Sequence, residues 1–400
     1  MRRKNLLKAM KSLFQAGRPV VGEKLIGREQ AIKQIISFLV GGQSVVLMAP
    51  RRFGKTSILL EVLNRVKSQG LFTAYIDIFA TPTKRILAEQ ITESVLANRK
   101  LDKVFANFRK SISSILKQVE FKQAIEDFEF ILDFAETKQD ESVLLSESID
   151  FIERFSIKYN QQIVCGFDEF GDIEKLDGLE IVKLFRSKLQ LQQNTSFLFS
   201  GSHESVMNQI FITSKSPFYR FARIINVKEI SPDIFKNYIK NEFSRIDVKI
   251  NPESLNSIIE FTGGQPYYTQ LVCRQLEYLV TTNFAKSSSG ISKQISINDV
   301  NTAIEEAFWA EINYIEKLWE ELSVSREQTQ VLISIVRGVD SVYRSLNLNQ
   351  VNVSRALRNL KLKGVIKREG KNYRLIDPML KYFICRDILK LDKAECIKSG

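Results

Sequence analysis

Histidine and cysteine are scarce in this chain of 400 residues, which has one histidine and four cysteines. A single imidazole, that of His203, nearly excludes a zinc site and a serine-histidine catalytic triad. The cysteines lack the spacing of metal ligands and two of them fall in apolar runs, so we expect reduced thiols. They are Cys165, Cys273, Cys385 and Cys396.

Long apolar runs are missing as well. No stretch approaches the length of a membrane span, and the N-terminal sequence MRRKNLLKAMKSLF lacks the apolar centre of a secretory signal. The composition, 44% hydrophobic and 26% charged, is typical of a globular protein, and the length allows two or three domains. We therefore predict a cytoplasmic protein with no membrane partner.

The net charge of +12 is concentrated at the two ends of the chain. Residues 1–18 contain six Lys or Arg and no acid, and residues 323–392 contain fourteen Lys or Arg against six acids. The pattern over 1–18 predicts a helix with Leu13 and Phe14 on its apolar face. Its basic face could bind nucleic acid or an acidic membrane, or be solvated while the helix packs on its own domain.

The most informative stretch is VVLMAPRRFGKTSI at 45–58. Four apolar residues predict a buried strand, and helical spacing of apolar residues begins at Ser57. Between them, 49–56 fits the phosphate-loop pattern G-x-x-x-x-G-K-[ST], except that Ala49 stands where the first glycine usually is. Gly54 lets backbone N–H groups approach a phosphate, and the N-terminus of the following helix favours the anion.

This loop predicts binding of ATP with Mg²⁺. Lys55 would bridge the β and γ phosphates, and the hydroxyl of Thr56 would complete the shell of the metal ion. Ala49 should be tolerated in place of the glycine if its φ is negative. The alternative interpretation of the whole stretch is an ordinary strand-turn-helix with Lys55 and Thr56 at the surface and no bound phosphate. The predicted loop contacts are Ala49, Pro50, Arg51, Arg52, Phe53, Gly54, Lys55, Thr56 and Ser57.

A second chemical signal, Asp168-Glu169, ends the apolar segment QIVCGFDEF at 162–170. In a protein with a phosphate loop, an acid at the carboxyl end of the neighbouring strand orders the metal, and an adjacent acid can polarise the attacking water. We assign Asp168 to Mg²⁺ and Glu169 to the general base. Strands often end in charged residues, so the pair is informative only together with Lys55.

Further strands are predicted at 72–79, 195–200 and 224–227. Ser202, with His203 as second choice, could point at the γ-phosphate, or it could cap the preceding strand. Arg220 or Arg223 could neutralise transition-state charge in its own or a neighbouring subunit, although a surface arginine is the default.

The C-terminal segment predicts helices at 326–337, 339–346 and 349–363, followed by a hairpin at 365–375. A basic third helix beside a basic hairpin is the geometry of a winged helix on DNA, although such modules also serve as autoinhibitory lids or protein-docking sites. The predicted contacts with double-stranded DNA are Arg355, Arg358, Lys361, Lys367, Arg368 and Lys371.

Five motifs in order resemble one family: IGRE at 26–29, PRRxGKTS at 50–57, DEF at 168–170, SGS at 200–202 and TGGQPYY at 262–268. The chain resembles the archaeal-type ATPase family of AAA+/STAND phosphate-loop proteins, which is related to the Orc1/Cdc6 initiator ATPases. The resemblance implies an α/β fold with a five-stranded parallel sheet, a helical lid and a C-terminal winged helix. It also implies that the adenine pocket contains Ile26, Gly27 and Arg28 and that the lid turn at Gly264, Gln265 and Pro266 touches the nucleotide.

The chain departs from this family at Tyr219-Arg220-Phe221, where relatives commonly have Tyr-Gly-Arg. We expect a basic helix at 1–18, an ATPase core at 19–230 with a helical insertion at about 83–159, a lid at 231–322, a winged helix at 323–392 and a tail at 393–400. Two functions stay open. One is an ATPase that repositions a DNA-bound winged helix, and the other is a slow nucleotide-gated scaffold with a protein partner. Either could form a nucleotide-dependent homo-oligomer.

Overall fold

A computed structural model describes residues 12–99, 140–202, 204–286, 294–339, 342–346 and 349–398. The chain forms two compact units. The first, called the sheet unit, consists of Glu29–Ala49 and Lys55–Val227. The second, called the helical unit, consists of Met1–Arg28, Pro50–Gly54 and Lys228–Gly400.

A five-stranded sheet forms the centre of the sheet unit. Its strands are β1 (Val45–Met48), β2 (Phe72–Asp77), β3 (Ile163–Asp168), β4 (Thr195–Ser200) and β5 (Arg223–Asn226). They lie in the order β2-β3-β4-β1-β5, and all the pairings are parallel. Every residue of β1, β3 and β4 is buried, as is typical of a parallel sheet covered on both faces. The predicted five-stranded parallel sheet, with the phosphate-loop strand in its interior, is confirmed.

Helices cover this sheet and carry its loops. They are α1 (Glu29–Val40), α2 (Lys55–Ser68), α3 (Lys84–Leu96), α4 (Glu141–Lys158), α5 (Glu174–Leu189) and α6 (Glu204–Phe211). Gly166 allows α2 to pack closely on β3, because a Cβ at this position would lie 2.8 Å from a methyl carbon of Leu59. Phenylalanine rings fill the core beside the sheet, where Phe167 of β3 and Phe199 of β4 stack at 5.8 Å. The helix that follows the phosphate loop is therefore fixed directly against the sheet.

The predicted helical insertion begins with α3 and ends with α4, and residues 100–139 between them lie outside the described residues. A polar side chain of α4 also binds the sheet, in addition to the apolar side chains of this helix. The carboxylate of Glu153 accepts hydrogen bonds from Gln193 N at 2.8 Å, from Asn194 N at 3.0 Å and from Thr195 Oγ1 at 2.8 Å. Glu153 thus holds the segment that starts β4.

The helical unit contains short strands and many helices. In chain order they are α7 (Pro232–Ser244), β6 (Lys249–Ile250), α8 (Pro252–Thr262), α9 (Pro266–Lys286), β7 (Gln294–Ile295), α10 (Ile297–Ser323), α11 (Arg326–Val336), α12 (Val342–Ser345), α13 (Gln350–Leu362), β8 (Ile366–Glu369), β9 (Asn372–Leu375), α14 (Pro378–Phe383) and α15 (Lys393–Lys398). The strands β6 and β7 pair in parallel, whereas β8 and β9 form an antiparallel hairpin. The apolar spacing over 297–322 predicts one or two amphipathic helices, and the structure has the single long helix α10, which begins with a capping box of Ser296 and Asp299.

The order α11-α12-α13-β8-β9 is the one predicted for a winged helix. The helical spacing of apolar residues over 349–363 predicts four inward-facing side chains, and on α13 these four are buried while the basic ones between them are exposed. This alternation follows from the helical period, which places residues three and four apart on one face. The buried side chains are Val353, Ala356, Leu357 and Leu360.

The predicted N-terminal helix at 1–18 is wrong for its last part, since residues 12–18 are not helical, and residues 1–11 lie outside the described residues. Leu13 and Phe14 are adjacent in the chain and both buried in the helical unit, where Phe14 packs between Tyr238 and Phe243. Glu277 accepts hydrogen bonds from the Ser12 hydroxyl at 2.7 Å and from Leu13 N at 3.1 Å. The main chain at Leu13 is therefore held by Glu277 and not by the hydrogen bonds of a helix.

The cysteines are buried, and none of the four forms a disulfide. Burial raises the pKa of the Cys165 and Cys273 thiols, and it raises that of Cys396 to about 12. These thiols therefore carry little thiolate at neutral pH. Within the described part of the chain, no helix is both long enough and apolar enough to cross a membrane.

Candidate functional site

The phosphate loop leaves β1 at Met48 and ends where α2 begins at Lys55. The Lys55 side chain is buried, and its Nζ donates a hydrogen bond to the carbonyl oxygen of Ala49 at 2.7 Å. Ala49 does not adopt a positive φ, so the alanine in place of the usual glycine causes no backbone strain. Gly54 has a φ of +82°, which glycine adopts without a steric penalty. Ala49, which departs from the pattern, and Gly54, which matches it, therefore both have backbone angles that suit their residue types.

The loop residues Pro50–Gly54 belong to the helical unit, and Arg28 of that unit holds them. Its Nη2 donates to the carbonyl oxygen of Phe53 at 3.1 Å, and its Nη1 donates to that of Lys228 at 2.6 Å. Burial lowers the pKa of Arg28 to about 10, so the guanidinium stays charged at neutral pH. Arg28 was predicted to line an adenine pocket, and the structure places its side chain on main-chain carbonyls.

The side chain of Arg52 is enclosed by the helical unit. Its Nη1 donates to Glu311 Oε2 at 2.6 Å and to the hydroxyl of Tyr268 at 2.8 Å. Its Cζ lies 4.2 Å from the ring centroid of Tyr314 and 4.4 Å from that of Tyr267. The predicted nucleotide contact of Arg52 is thus left to its backbone, whose φ of 71° is unusual for a residue other than glycine.

Asp168 lies at the end of β3, close to the level at which β1 ends. The register pairs Phe167 with Phe199 of β4, and it pairs Leu47 of β1 with Ser200 of β4. Asp168 is therefore level with Ser200, two strand spacings of about 4.8 Å from β1. The structure brings the aspartate and the start of the phosphate loop to one edge of the sheet, but β4 separates their two strands, which were expected to be neighbours.

Both carboxylate oxygens of Asp168 accept hydrogen bonds from hydroxyl groups. The Ser200 hydroxyl donates to Oδ1, and the Tyr75 hydroxyl donates to Oδ2 at 3.3 Å. Sequence reasoning missed both donors as functional residues. Ser200 was visible as the last residue of a predicted strand, whereas Tyr75 alternates with apolar residues inside β2 and gave no separate signal.

Asp77 is a third acid at this edge, and it is the register partner of Asp168. Burial and the charge of Asp168 raise the pKa of its carboxyl group, against the opposing effect of a hydrogen bond from Phe79 N. Sequence reasoning missed Asp77 too, because the strand predicted at 72–79 runs two residues past it, whereas β2 ends at Asp77. Its place beside Asp168 adds negative charge where a cation is expected.

Glu169 has left-handed backbone angles, with a φ of 49° and a ψ of 39°. Ser202 contacts both of its carboxylate oxygens: the Ser202 N–H donates to Oε2 at 2.7 Å and the Ser202 hydroxyl donates to Oε1. The predicted phosphate sensor therefore binds the predicted general base in this structure. The second choice for the sensor, His203, lies outside the described residues.

The two arginines predicted as charge-neutralising groups lie away from the loop along the sheet. Arg223 starts β5 and pairs with Val45, the first residue of β1, whereas the loop follows the last residue. Its guanidinium stacks on the ring of Phe38 at 4.5 Å, and that of Arg220 lies over the ring of Tyr219 at 5.2 Å. This register places Arg223 at the opposite end of β1 from the phosphate loop.

The predicted adenine and lid segments converge on Ile230 within the helical unit. A Cβ on Gly27 would lie 2.6 Å from a side-chain carbon of Ile230, and a Cβ on Gly264 would lie 2.5 Å from its carbonyl oxygen. Both glycines have positive φ. Ile230 N donates a hydrogen bond to Gly264 O at 3.0 Å. Gln265 Oε1 accepts a hydrogen bond from Tyr268 N at 3.1 Å, and Pro266 lies between these two residues in the chain. Ile26 packs against the same core.

The predicted DNA contacts divide into two groups. Lys367 already forms two ion pairs within the helical unit, since its Nζ lies 2.5 Å from a carboxylate oxygen of Glu229 and 3.1 Å from one of Glu369. The neighbouring Arg374 pairs with the same two acids. The other five side chains are exposed: Arg355, Arg358, Lys361, Arg368 and Lys371.

A magnesium site of the predicted kind fits the donor set. Asp168 supplies a carboxylate whose orientation is fixed by two hydroxyls, and Thr56 supplies a hydroxyl, and both are the hard oxygen ligands that Mg²⁺ prefers. Among the described residues no group of three His, Cys, Asp or Glu could hold a metal ion. None is required here, because a phosphate-loop site takes the remaining ligands from phosphate and water.

A family model described as an ATPase domain predominantly from Archaea matches residues 25–272. The match covers more than half of the chain and includes both the phosphate loop and Asp168. The chain belongs to this archaeal ATPase family. The predicted membership of an archaeal-type ATPase family is confirmed. No curated protein matches the sequence significantly.

Solved structures show the same fold. A Walker-type ATPase of Pyrococcus abyssi has a TM-score of 0.64 at 17% identity, over 92% of this chain and 98% of that chain. The ORC2 protein of Aeropyrum pernix, in ADPNP-ADP complexes, has a TM-score of 0.57 at 13% identity, over 97% and 96% of the two chains. Similarity at these identities extends to the fold alone.

Proposed function

We propose that this ATPase binds ATP with Mg²⁺ at its phosphate loop, hydrolyses it with Glu169 as general base, and uses its nucleotide state to reposition a C-terminal winged helix on DNA. The observation that carries the proposal is the placement of Asp168-Glu169 at the same sheet edge as the loop. The register through Ser200 supports this placement. A lysine, a hydroxyl and two acids around one edge are the groups that phosphoryl transfer to water requires.

Each residue has one task in this proposal. Lys55 exchanges the carbonyl oxygen of Ala49 for oxygens of the β and γ phosphates, which carry more negative charge. Thr56 and Asp168 hold Mg²⁺, which neutralises phosphate charge when bound. Glu169 accepts the proton of the attacking water. The backbone N–H groups around Gly54 and the N-terminus of α2 bind the phosphates as dipoles.

Two substitutions test the enzymatic part. Lys55→Ala should abolish binding of a fluorescent ATP analogue, because the anion loses its cation. Glu169→Gln should retain binding but reduce turnover by about 100-fold or more, since the water loses its base. Glu180→Gln is the matched control, because this exposed acid on α5 pairs with Lys183 and lies in no predicted site. Normal turnover in Glu169→Gln, or no nucleotide binding by the unaltered protein, would contradict the proposal.

The DNA part of the proposal is based on the exposed cations of α13. Arg355, Arg358 and Lys361 lie three residues apart, so that they share one face of the helix, and Lys371 is exposed at the turn of the hairpin. A basic helix that contacts the major groove, with phosphate contacts beside it, needs such a surface. Each phosphate contact releases counterions, so affinity should fall steeply with salt.

The DNA test compares two double charge reversals. Arg355→Glu with Arg358→Glu should reduce duplex affinity by at least about tenfold at low salt and flatten its salt dependence. Lys236→Glu with Lys240→Glu on α7 makes the same change in net charge and should have a much smaller effect. Equal losses in the two variants would indicate non-specific attraction and would contradict a winged-helix site.

Two contacts favour a second candidate, a nucleotide-gated scaffold with slow turnover. Ser202 occupies both oxygens of Glu169, and Glu229 occupies Lys367 of the hairpin. In this candidate, both contacts belong to a resting state, and a partner would have to break them to activate the protein. The scaffold would be supported by a nucleotide that copurifies with the protein together with a slow ATP turnover rate that is the same with and without DNA. Mass measured in solution with an ATP analogue, with ADP and without nucleotide would test assembly, in which Arg220 or Arg223 acts on a neighbouring subunit.

A further inference from the structure

Arg52 is a charged residue of the phosphate loop whose side chain is enclosed by other parts of the helical unit. Glu311 of α10 accepts from Nη1 at 2.6 Å, and the rings of Tyr267 and Tyr314 flank the guanidinium. Tyr267 also donates its hydroxyl to Glu311 Oε1 at 2.5 Å, so the acid is fixed from two sides. We call Arg52, Glu311, Tyr267, Tyr268 and Tyr314 the arginine cage.

The arginine cage does not end at the lid helices. Tyr268 accepts a hydrogen bond from Arg52 and donates its own hydroxyl to Asp377 Oδ2 at 2.7 Å. Tyr268 is fully buried, and burial together with the charge of Asp377 raises the pKa of its hydroxyl. The phenol therefore stays protonated and remains a donor. Donors and acceptors run in one direction from the loop to the C-terminal segment, and such chains polarise each other.

Asp377 connects this chain of hydrogen bonds to secondary structure. It is the N-cap of α14, and its Oδ1 accepts from Met379 N at 2.9 Å and from Leu380 N at 3.1 Å. The residue follows the end of β9 by two positions and directly precedes α14, so it lies between the hairpin and α14. A shift of its carboxylate would weaken the cap that starts α14 and would pull on the end of the hairpin.

We propose that Arg52 transmits the state of the phosphate loop to α14 and the hairpin through Tyr268 and Asp377. The inference rests on the proposed function, because it requires nucleotide to bind at the loop. Arg52 has a left-handed backbone conformation between two residues of the loop, so a change in loop backbone on binding phosphate redirects its side chain. Redirection breaks the bonds to Glu311 and Tyr268 together, since Nη1 makes both.

Hydrogen exchange tests the proposal on the full chain. In the unaltered protein, a magnesium-ATPγS complex should change the exchange rates of the Met379 and Leu380 amides at least about threefold. Tyr268→Phe keeps the ring but removes the hydroxyl, so this response should be lost while nucleotide affinity stays within about threefold. Tyr278→Phe, an exposed position on the same helix, is the matched control and should keep the response.

A second variant covers the case in which Tyr268→Phe fails to fold. Arg52→Lys retains the positive charge but cannot reach Glu311 and Tyr268 with one planar group, so the response at α14 should also be lost. A response that persists in either folded variant would overturn the inference, as would nucleotide binding without any response in the unaltered protein. Absence of nucleotide binding in the unaltered protein would overturn the proposed function and the inference with it.

Discussion

Ser202 binds Glu169 through both its backbone N–H and its hydroxyl, so the predicted sensor and the predicted base form one unit. Ser202→Ala removes one of the two hydrogen bonds and leaves the other. We expect turnover to fall by about tenfold, because the carboxylate loses its fixed orientation, and nucleotide affinity to stay nearly unchanged. Steady-state ATPase assays and equilibrium binding separate the two effects. A variant whose affinity falls as much as its turnover would show instead that Ser202 contacts the nucleotide.

The Ser200 hydroxyl should matter for the metal, although it is not a predicted ligand. Ser200→Ala removes the donor to Asp168 Oδ1, and loss of such a supporting contact typically costs about 10–100-fold in metal affinity or activity. Magnesium titration of ATPase activity measures the change. Ser196→Ala is a matched control on the same strand, because within the described residues its buried hydroxyl has no hydrogen-bond partner. Equal magnesium requirements in the two variants would contradict the role of Ser200.

Glu229 should stabilise the hairpin in a manner that depends on pH. Burial raises its pKa, but the hydrogen bond from Lys367 and the charges of Lys367 and Arg374 outweigh burial, and the folded-state pKa is lowered. Its contribution is therefore complete above the unfolded-state pKa and is lost as pH falls through the folded-state pKa. Glu229→Gln should reduce the free energy of unfolding by about 1 kcal/mol near neutral pH, and by less in acid.

The same variant tests whether the hairpin is held away from DNA. With Glu229 neutral, Lys367 and Arg374 lose a shared partner, so duplex affinity should rise by about threefold or more at low salt. Denaturation at two pH values and DNA binding can be measured on one preparation. A variant with the expected loss of stability but unchanged DNA affinity would confine Glu229 to a structural role.

Gly264 should be intolerant of a side chain for two reasons that a control can separate. Its φ is +70°, and an added Cβ would lie 2.5 Å from the carbonyl oxygen of Ile230. Gly264→Ala should cost about 3 kcal/mol or more, since backbone strain and steric overlap add. Gly338 has a φ of +68° with no heavy atom among the described residues within 4 Å of a Cβ, so Gly338→Ala should cost about 1 kcal/mol. Thermal unfolding compares the two.

The sheet could be predicted from sequence because each strand is a short apolar run. The predicted bounds 45–48 and 195–200 are those of β1 and β4. Lys55 could be identified from the loop pattern between such a run and a helix, and Asp168 from its place at the end of another run. The helical spacing of apolar residues also predicted the buried face of α13 correctly, because helical periodicity is a local property of the sequence.

Partners distant in sequence could not be predicted in this way. The pairing of Lys367 with Glu229 joins residues 138 positions apart, and that of Arg52 with Glu311 joins residues 259 apart. Nothing in the local pattern of a basic hairpin shows that one of its cations is already neutralised. The helix predicted to reach residue 18 is wrong for a related reason, because Phe14 packs against rings contributed by α7, which is distant in sequence.

The insertion has a physical connection to the catalytic edge. Glu153 of α4 accepts three hydrogen bonds from the segment at the beginning of β4. The other end of this six-residue strand is Ser200, and the chain continues from there to Ser202. β4 pairs with β3 on one side and with β1 on the other, so its register is fixed between these two ends. The helical insertion thus helps to fix the strand that carries the hydroxyl bound to Asp168.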